Sequence, residues 1–205
     1  MCTRFYILPE TEKLRILADK AAATALAQRF MREGSPMKIS GEIRPTDVVP
    51  VLAPNRKGEI SVFPMRWGFT IPGRTLIVNA RSESAREKPT FREAWERRRC
   101  VIPASWYYEW EHFTGANGQK KVGDKFMFQP KGETITWLCG LYRMEEDEPV
   151  FTVLTREASE EILRVHDRMP VILPEEKIRV WMNPQSRPES LLPFALTDMI
   201  FERIS

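Results

Sequence analysis

Histidine and cysteine are scarce in this chain. Among 205 residues there are two histidines, His112 and His166, and three cysteines, Cys2, Cys100 and Cys139. The cysteines are odd in number and widely spaced, with no Cys-x-x-Cys pair and no Cys/His cluster. Neither a disulfide framework nor a zinc site is supported, and no metal or cofactor is expected. No apolar run approaches the roughly 18 residues that span a bilayer, so no membrane association is expected. The opening MCTRFYILPE lacks the apolar stretch of a secretory signal, which makes a cytoplasmic protein with reduced thiols the expectation. Charge of one sign is also lacking. A net charge of +3 permits a nucleic-acid partner without arguing for one, because a binding face must come from local clustering. No repeat, low-complexity segment or linker divides the chain, and its length suits one domain, 1–205, with its own core.

What is present is patterned. Leu14, Leu17, Ala21, Ala25 and Phe30 recur at near-helical spacing, predicting one amphipathic helix over Glu12–Glu33 that ends at Gly34-Ser35-Pro36. Short strand-like runs follow at Val48–Leu52, Ile60–Phe63, Leu76–Asn79, Val101–Pro103, Trp106–Trp110, Phe126–Gln129, Thr134–Tyr142 and Phe151–Thr155. Helices are expected at Phe91–Arg99, Ser159–Val165 and Pro174–Met182, and Gly115–Lys121 reads as a polar hairpin tip. Strands this numerous, irregularly interleaved with helices, exclude a doubly wound parallel sheet. The expected class is α+β, with a strongly curved, mostly antiparallel sheet or barrel-like core and flanking helices.

The chemistry starts at the second residue. Cysteine is small enough for an aminopeptidase to remove the methionine before it. Cys2 would then carry a free amine beside its thiol, groups that titrate near ~8 and ~8.5 when unperturbed. A 1,2-aminothiol condenses with an aldehyde to an imine and closes through sulfur to a thiazolidine. The ring-opened deoxyribose of an abasic site presents such an aldehyde. A cysteine at position 2 is also a common accident, so function requires partners.

Asn79-Ala80-Arg81 ends a hydrophobic strand, where polar side chains project from a sheet rim. Trp106-Tyr107-Tyr108-Glu109-Trp110 sets a carboxylate among aromatics, surroundings that raise a pKa and suit acid/base work; a strand-edge charge facing water is the plain alternative. His166-Asp167-Arg168-Met169-Pro170 supplies a histidine among charges, catalytic or merely structural, while His112 beside the GANG turn reads as solvent-exposed. Arg4 is placed either to hold a phosphate near the nucleophile or to make a surface salt bridge. Between Arg81 and Arg99 the arginines alternate with glutamates as on a solvated helix face, leaving Arg81 as the ligand candidate.

Together these segments resemble the SOS response-associated peptidase (SRAP) family over nearly the whole chain. The resemblance is carried by Met1-Cys2-Thr3-Arg4, Trp67-Gly68, Asn79-Ala80-Arg81-Ser82-Glu83, Arg99-Cys100-Val101-Ile102-Pro103-Ala104, Tyr108-Glu109-Trp110, Gly140-Leu141-Tyr142, Thr152-Val153-Leu154-Thr155 and His166-Asp167-Arg168-Met169-Pro170, in that order. It implies a barrel-like α+β domain that captures abasic sites in single-stranded DNA as a stable thiazolidine, shielding the lesion in the DNA damage response, in the cytoplasm at the nucleoid. By motif, Cys2 is the nucleophile. Glu109 moves protons at the amine and helps release Met1 in an autoproteolytic step. His166 assists sugar-ring opening, imine formation and later reversal, Asn79 orients the terminus or the sugar, and Arg4 and Arg81 bind flanking phosphates. Thr3 stands where the family commonly has glycine, and Glu42-Ile43-Arg44-Pro45-Thr46 where Asn-Val-Ala-Pro-Thr is usual. Ile71-Pro72-Gly73-Arg74-Thr75 carries no aromatic wedge, which leaves Trp67 or Trp106 to offer a stacking face. The chain stops soon after Phe201-Glu202-Arg203, without the final strand segment usual in the family, as a short and divergent member would. It is expected to act as a monomer.

Two other functions fit the residues less well. A cysteine peptidase or amidohydrolase acting on other proteins would need a specificity pocket that no motif suggests. A non-catalytic single-stranded DNA binder would use the arginines and aromatics and ignore Cys2, with binding that falls steeply with salt.

Overall fold

A computed structural model describes residues 2–73, 75–114 and 118–204. Its elements run β1 (Arg4–Ile7), α1 (Glu12–Ala22), α2 (Ala25–Arg32), β2 (Gly41–Ile43), β3 (Val48–Pro54), β4 (Ile60–Trp67), β5 (Asn79–Arg81), α3 (Pro89–Arg97), β6 (Arg99–Ala104) and β7 (Trp106–Thr114). They continue with β8 (Lys120–Pro130), β9 (Thr136–Glu145), β10 (Glu148–Glu157), α4 (Glu160–Leu163), β11 (Arg168–Pro170), α5 (Glu175–Met182) and β12 (Met199–Arg203). The α+β class read from the sequence holds. One group of strands runs β10-β4-β3-β6-β9, and β9 pairs again with β10, which closes a five-stranded barrel. All but the β10–β4 contact in that ring are antiparallel. A second sheet has the order β12-β8-β7-β1-β2.

The barrel strands form where apolar residues run without polar interruption. Every residue of β6 is buried, as is all of β3 except Pro54. Such runs suit strands covered on both faces. Gly140 of β9 shows why the ring closes tightly. A Cβ there would sit 2.7 Å from Ile102 Cδ1 and 2.8 Å from the Thr152 carbonyl, so a larger residue would force the neighbouring strands apart.

Two expectations need correction. The long N-terminal helix is two helices. Thr24 adopts an extended conformation and its hydroxyl oxygen accepts from the Ala27 amide at 3.2 Å, capping α2 and ending the run begun in α1. Leu76–Asn79 is not a strand; Ile77 makes an isolated bridge to Phe69, and the strand begins at Asn79 and runs to Arg81 beside β10. The closing residues Met199–Arg203 lie antiparallel to β8 as β12. The expected Gly115–Lys121 hairpin tip joins β7 to β8, and Gly115, Ala116 and Asn117 lie outside the described residues. No described helix is long and apolar enough to cross a membrane.

Arg99 ties the helices to the barrel. It is 1% exposed, and its guanidinium donates to the carbonyls of Trp181 (2.6 Å), Trp95 (2.7 Å), Glu96 (2.8 Å) and Asn183, and to the Ser186 hydroxyl at 3.0 Å. These carbonyls belong to the C-terminal ends of α3 and α5, where unpaired acceptors and the negative end of the helix dipole gather. Burial lowers the Arg99 pKa to about 10, which still leaves the cation intact at neutral pH. Arg99→Met keeps the bulk but orphans these acceptors. A loss of about 3 kcal/mol is expected, from the cost of unsatisfied buried groups, read as a lower urea midpoint at unchanged slope. A midpoint equal to wild type would remove this role.

Candidate active site at the start of β1

Three parts of the fold meet near the beginning of the chain. Strand β1 docks on the barrel through Phe5, whose ring lies 5.2 Å from that of Trp67; Trp67 in turn stacks on Phe151. Antiparallel pairing sets Arg4 opposite Tyr108 and Phe5 opposite Tyr107, so the residues before β1 approach Glu109. Cys2 is 0% exposed, and its carbonyl accepts a hydrogen bond from Asn79 Nδ2 at 2.9 Å. β5 therefore holds the second residue of the chain in place, across a sequence separation that no local pattern reveals.

The electrostatics of the cluster follow from burial. The Cys2 thiol is pushed well above its ordinary value, first by loss of water and then by the Glu109 carboxylate within electrostatic reach. Such a sulfur is a thiol at neutral pH, and its attack needs a base to take the proton. Glu109 is 2% exposed, and burial lifts its pKa from 4.5 to about 7. A carboxyl poised near neutral pH holds or releases a proton with little driving force either way.

Tyr107 was not among the residues singled out from the sequence. Its hydroxyl is buried with no hydrogen-bond partner among the described residues. Burial raises its pKa, and the charges of Cys2 and Glu109 add to the effect. Strand alternation does carry this signal, since residues 107 and 109 share one face of β7. Asn79 Oδ1 is likewise buried without a partner among the described residues.

His166 follows α4 and is 6% exposed. Its Nδ1 accepts from the Arg168 amide at 2.9 Å and lies 2.9 Å from Asp167 Oδ1. Burial lowers its pKa from 6.5 to about 4 despite Asp167, so the ring is neutral at pH 7 and the contact with Asp167 is not an ion pair there. The unfolded chain takes up this proton first as pH falls. The buried ring therefore makes the fold less stable from about pH 6.5 down toward about pH 4.

The remaining candidates separate. Arg81 is exposed on the rim of β5. Arg4 is half-buried, donates to the Thr3 carbonyl at 2.6 Å, and its Nε lies 3.4 Å from Glu42 Oε1. Glu42 also meets Lys125 at 2.6 Å and Arg44 at 3.0 Å. Partial burial works to raise that carboxyl, but hydrogen bonds and charge from Lys125 and Arg44 outweigh it and hold it low. Arg4 thus makes the salt bridge that was its plain alternative, and a phosphate would have to compete with Glu42.

Trp67 offers no stacking face, and Trp106 has one ring face taken by Tyr6. Trp67 is 0% exposed between Phe5 and Phe151, and its indole N–H donates to the Val78 carbonyl at 2.9 Å. Its role is to position the segment that leads into Asn79. Trp106 lies on the face of β7 opposite Glu109, with its ring stacked at 4.6 Å and 5° on Tyr6. Arg168, quoted only within a motif, is buried and gripped by Glu83 through two contacts of 2.9 and 2.8 Å.

The family model described as "SOS response associated peptidase (SRAP)" matches residues 1–203 of this chain. The abasic site processing protein YoqW of Bacillus subtilis (strain 168) is 32% identical over 167 residues, spanning 74% of this chain and 70% of its own length. The abasic site processing protein YedK of Escherichia coli (strain K12) is 26% identical over 146 residues, spanning 66% and 61%. A crystal structure of a Bacteroides thetaiotaomicron protein aligns with TM-score 0.73 at 20% identity, covering 100% of this chain and 92% of that one, a likeness of fold.

Proposed function

Since this chain belongs to the SOS response associated peptidase (SRAP) family, we propose that it processes abasic sites in DNA, and does so by covalent capture through Cys2. The observation that supports this most directly is the Asn79 hydrogen bond to the Cys2 carbonyl, beside a buried Glu109 carboxyl titrating at about 7.

Removal of Met1 frees the Cys2 amine. The amine adds to the C1′ aldehyde of the opened sugar, the carbonyl oxygen leaves as water, and an imine forms. Sulfur then bonds to the imine carbon while the thiol proton is delivered to nitrogen, closing the thiazolidine. Glu109 in its ionised form takes the proton from the ammonium and then from the thiol, whose buried environment disfavours a free thiolate. In its acid form it supplies the proton that leaves with water, and it serves the self-cleavage after Met1. His166, neutral at pH 7, assists sugar-ring opening, in which the anomeric hydroxyl gives up its proton, the C1′–O4′ bond breaks and the ring oxygen takes up a proton, and it assists the reverse on release. Asn79 orients the terminus through the Cys2 carbonyl.

Arg81, exposed at the rim, and Arg4, after release from Glu42, meet the phosphates on either side. Single-stranded DNA is the favoured substrate, because an abasic nucleotide has no base to unpair and little stacking to lose. Capture keeps the lesion from strand cleavage while it is held.

The test is the intact mass of the protein after denaturation, following incubation with a single strand carrying one abasic site or with the undamaged strand. A species lacking Met1, heavier by the abasic strand less one water, is expected only with the lesion. Its absence, or equal adduct with the undamaged strand, overturns the reading.

A further inference from the structure

Glu42 stands where the family usually has asparagine, and three cations converge on it. Its Oε1 lies 3.4 Å from Arg4 Nε and accepts from Arg44 Nε at 3.0 Å, while Oε2 accepts from Lys125 Nζ at 2.6 Å. The cations come from separate parts of the second sheet. Pairing sets Tyr6 of β1 opposite both Glu42 of β2 and Trp106 of β7, and sets Lys125 of β8 opposite Trp110 of β7. By strand alternation Arg4, Glu42, Trp110 and Lys125 share one face of that sheet, the face turned away from Phe5 and Glu109. The Lys125 ammonium lies 3.9 Å from the centre of the Tyr108 ring, which holds it over the sheet. Arg4, Glu42 and Lys125 are half-buried and Arg44 is exposed, so the cluster opens to water.

A carboxylate and a phosphodiester present similar chemistry, two oxygens sharing one negative charge. Three cations gathered on a single carboxylate leave positive charge in excess, and an ion pair made only to brace a sheet needs no such excess. We propose that Arg4, Arg44 and Lys125 form a phosphodiester site for the DNA strand, and that Glu42 occupies it until a strand displaces it. The consequence is selectivity. An undamaged strand must displace Glu42 and has nothing further to hold it, so it binds weakly. An abasic strand meets the same competition but is then retained covalently at Cys2, close to Arg4 in the chain. Glu42 is a specificity-determining residue that acts through the cations and not on the sugar.

This role rests on the DNA reading of the site, and its test separates the two. Affinity for a labelled, undamaged single strand is measured by titration at several salt concentrations. Glu42→Gln should bind about tenfold tighter or more, because a negative charge facing the incoming phosphate is gone. Glu176→Gln, the same change in net charge at an exposed residue of α5, should not match that gain. In a protein carrying both Arg44→Gln and Lys125→Gln, Arg4 stays paired with Glu42 and the phosphate contact is lost. The slope of log affinity against log salt should then be shallower by about 0.7, the value for one phosphate of a single strand. Adding Glu42→Gln to that pair should bring a smaller gain than it brings to wild type. Undamaged strand in excess should also slow capture of an abasic strand more in Glu42→Gln than in wild type. A gain no larger than that of Glu176→Gln overturns the site, as does the same gain without Arg44 and Lys125. A lower urea midpoint in Glu42→Gln with unchanged affinity does so too, and leaves Glu42 a brace for the sheet. If Glu42→Gln tightens binding but wild type forms no adduct with an abasic strand, the phosphate site stands and the proposed function falls. An adduct in wild type with no change of affinity at Glu42→Gln gives the reverse.

Discussion

Cys2→Ala is expected to abolish the denaturation-resistant adduct with abasic single-stranded DNA. The variant keeps an α-amine at the same place after Met1 removal, so imine formation with the aldehyde remains open to it. It has no sulfur to close the ring, and the imine hydrolyses when the protein is unfolded. Borohydride added before denaturation should therefore trap the variant on the strand, whereas the wild-type adduct needs no reductant. Loss of one buried sulfur removes little volume, and unfolding midpoints of the two proteins should differ by only about 1 kcal/mol or less. An adduct of full yield in Cys2→Ala without reductant would remove the thiol from the mechanism.

Glu109→Gln is expected to slow adduct formation between about 100- and 10,000-fold, the usual range for a lost general acid–base. In wild type the rate should rise as pH passes through about 7, where the buried carboxyl ionises; in the variant that step should vanish. Stability moves the other way. Between pH 4.5 and about 7 the folded chain keeps a proton that the unfolded chain has already released, so the stability carried by this group falls as pH rises through that window. Glutamine does not ionise and escapes the penalty. Above pH 7 the variant should be more stable by up to about 3 kcal/mol, a gain that disappears below pH 4.5. Urea unfolding on both sides of the window, with single-turnover crosslinking rates, reads both effects. A Gln variant that crosslinks as fast as wild type would sink the catalytic assignment.

Much of the architecture was legible in local pattern. Uninterrupted apolar runs such as Val48–Leu52 and Val101–Pro103 mark strands covered on both faces, and these became β3 and β6 of the barrel. Boundaries were less legible. A helical period continues across Ala23 and Thr24, and only the Thr24 side chain, choosing to cap rather than to continue, divides α1 from α2. The pairing of Met199–Arg203 with β8 also escapes a local reading, because that segment has a partner only once the distant β8 is in place.

The candidate site divides along the same line. Residue type and order by themselves determined that a cysteine stands at position 2, that Glu109 sits on an aromatic strand, and that Asn79 and His166 lie in motifs far apart in the chain. Covalent chemistry is a property of the groups, and it can be read without coordinates. Tertiary structure alone decided which of those groups meet, Asn79 with the Cys2 carbonyl and His112 with His166, and that Tyr107 lies within electrostatic reach of Cys2 and Glu109. It also decided which do not, enclosing Trp67 in the core and turning Trp106 to the opposite face. The reason is that pKa shifts and proton paths depend on burial and on contacts between residues distant in the chain, and both come into being only when the sheets close on one another.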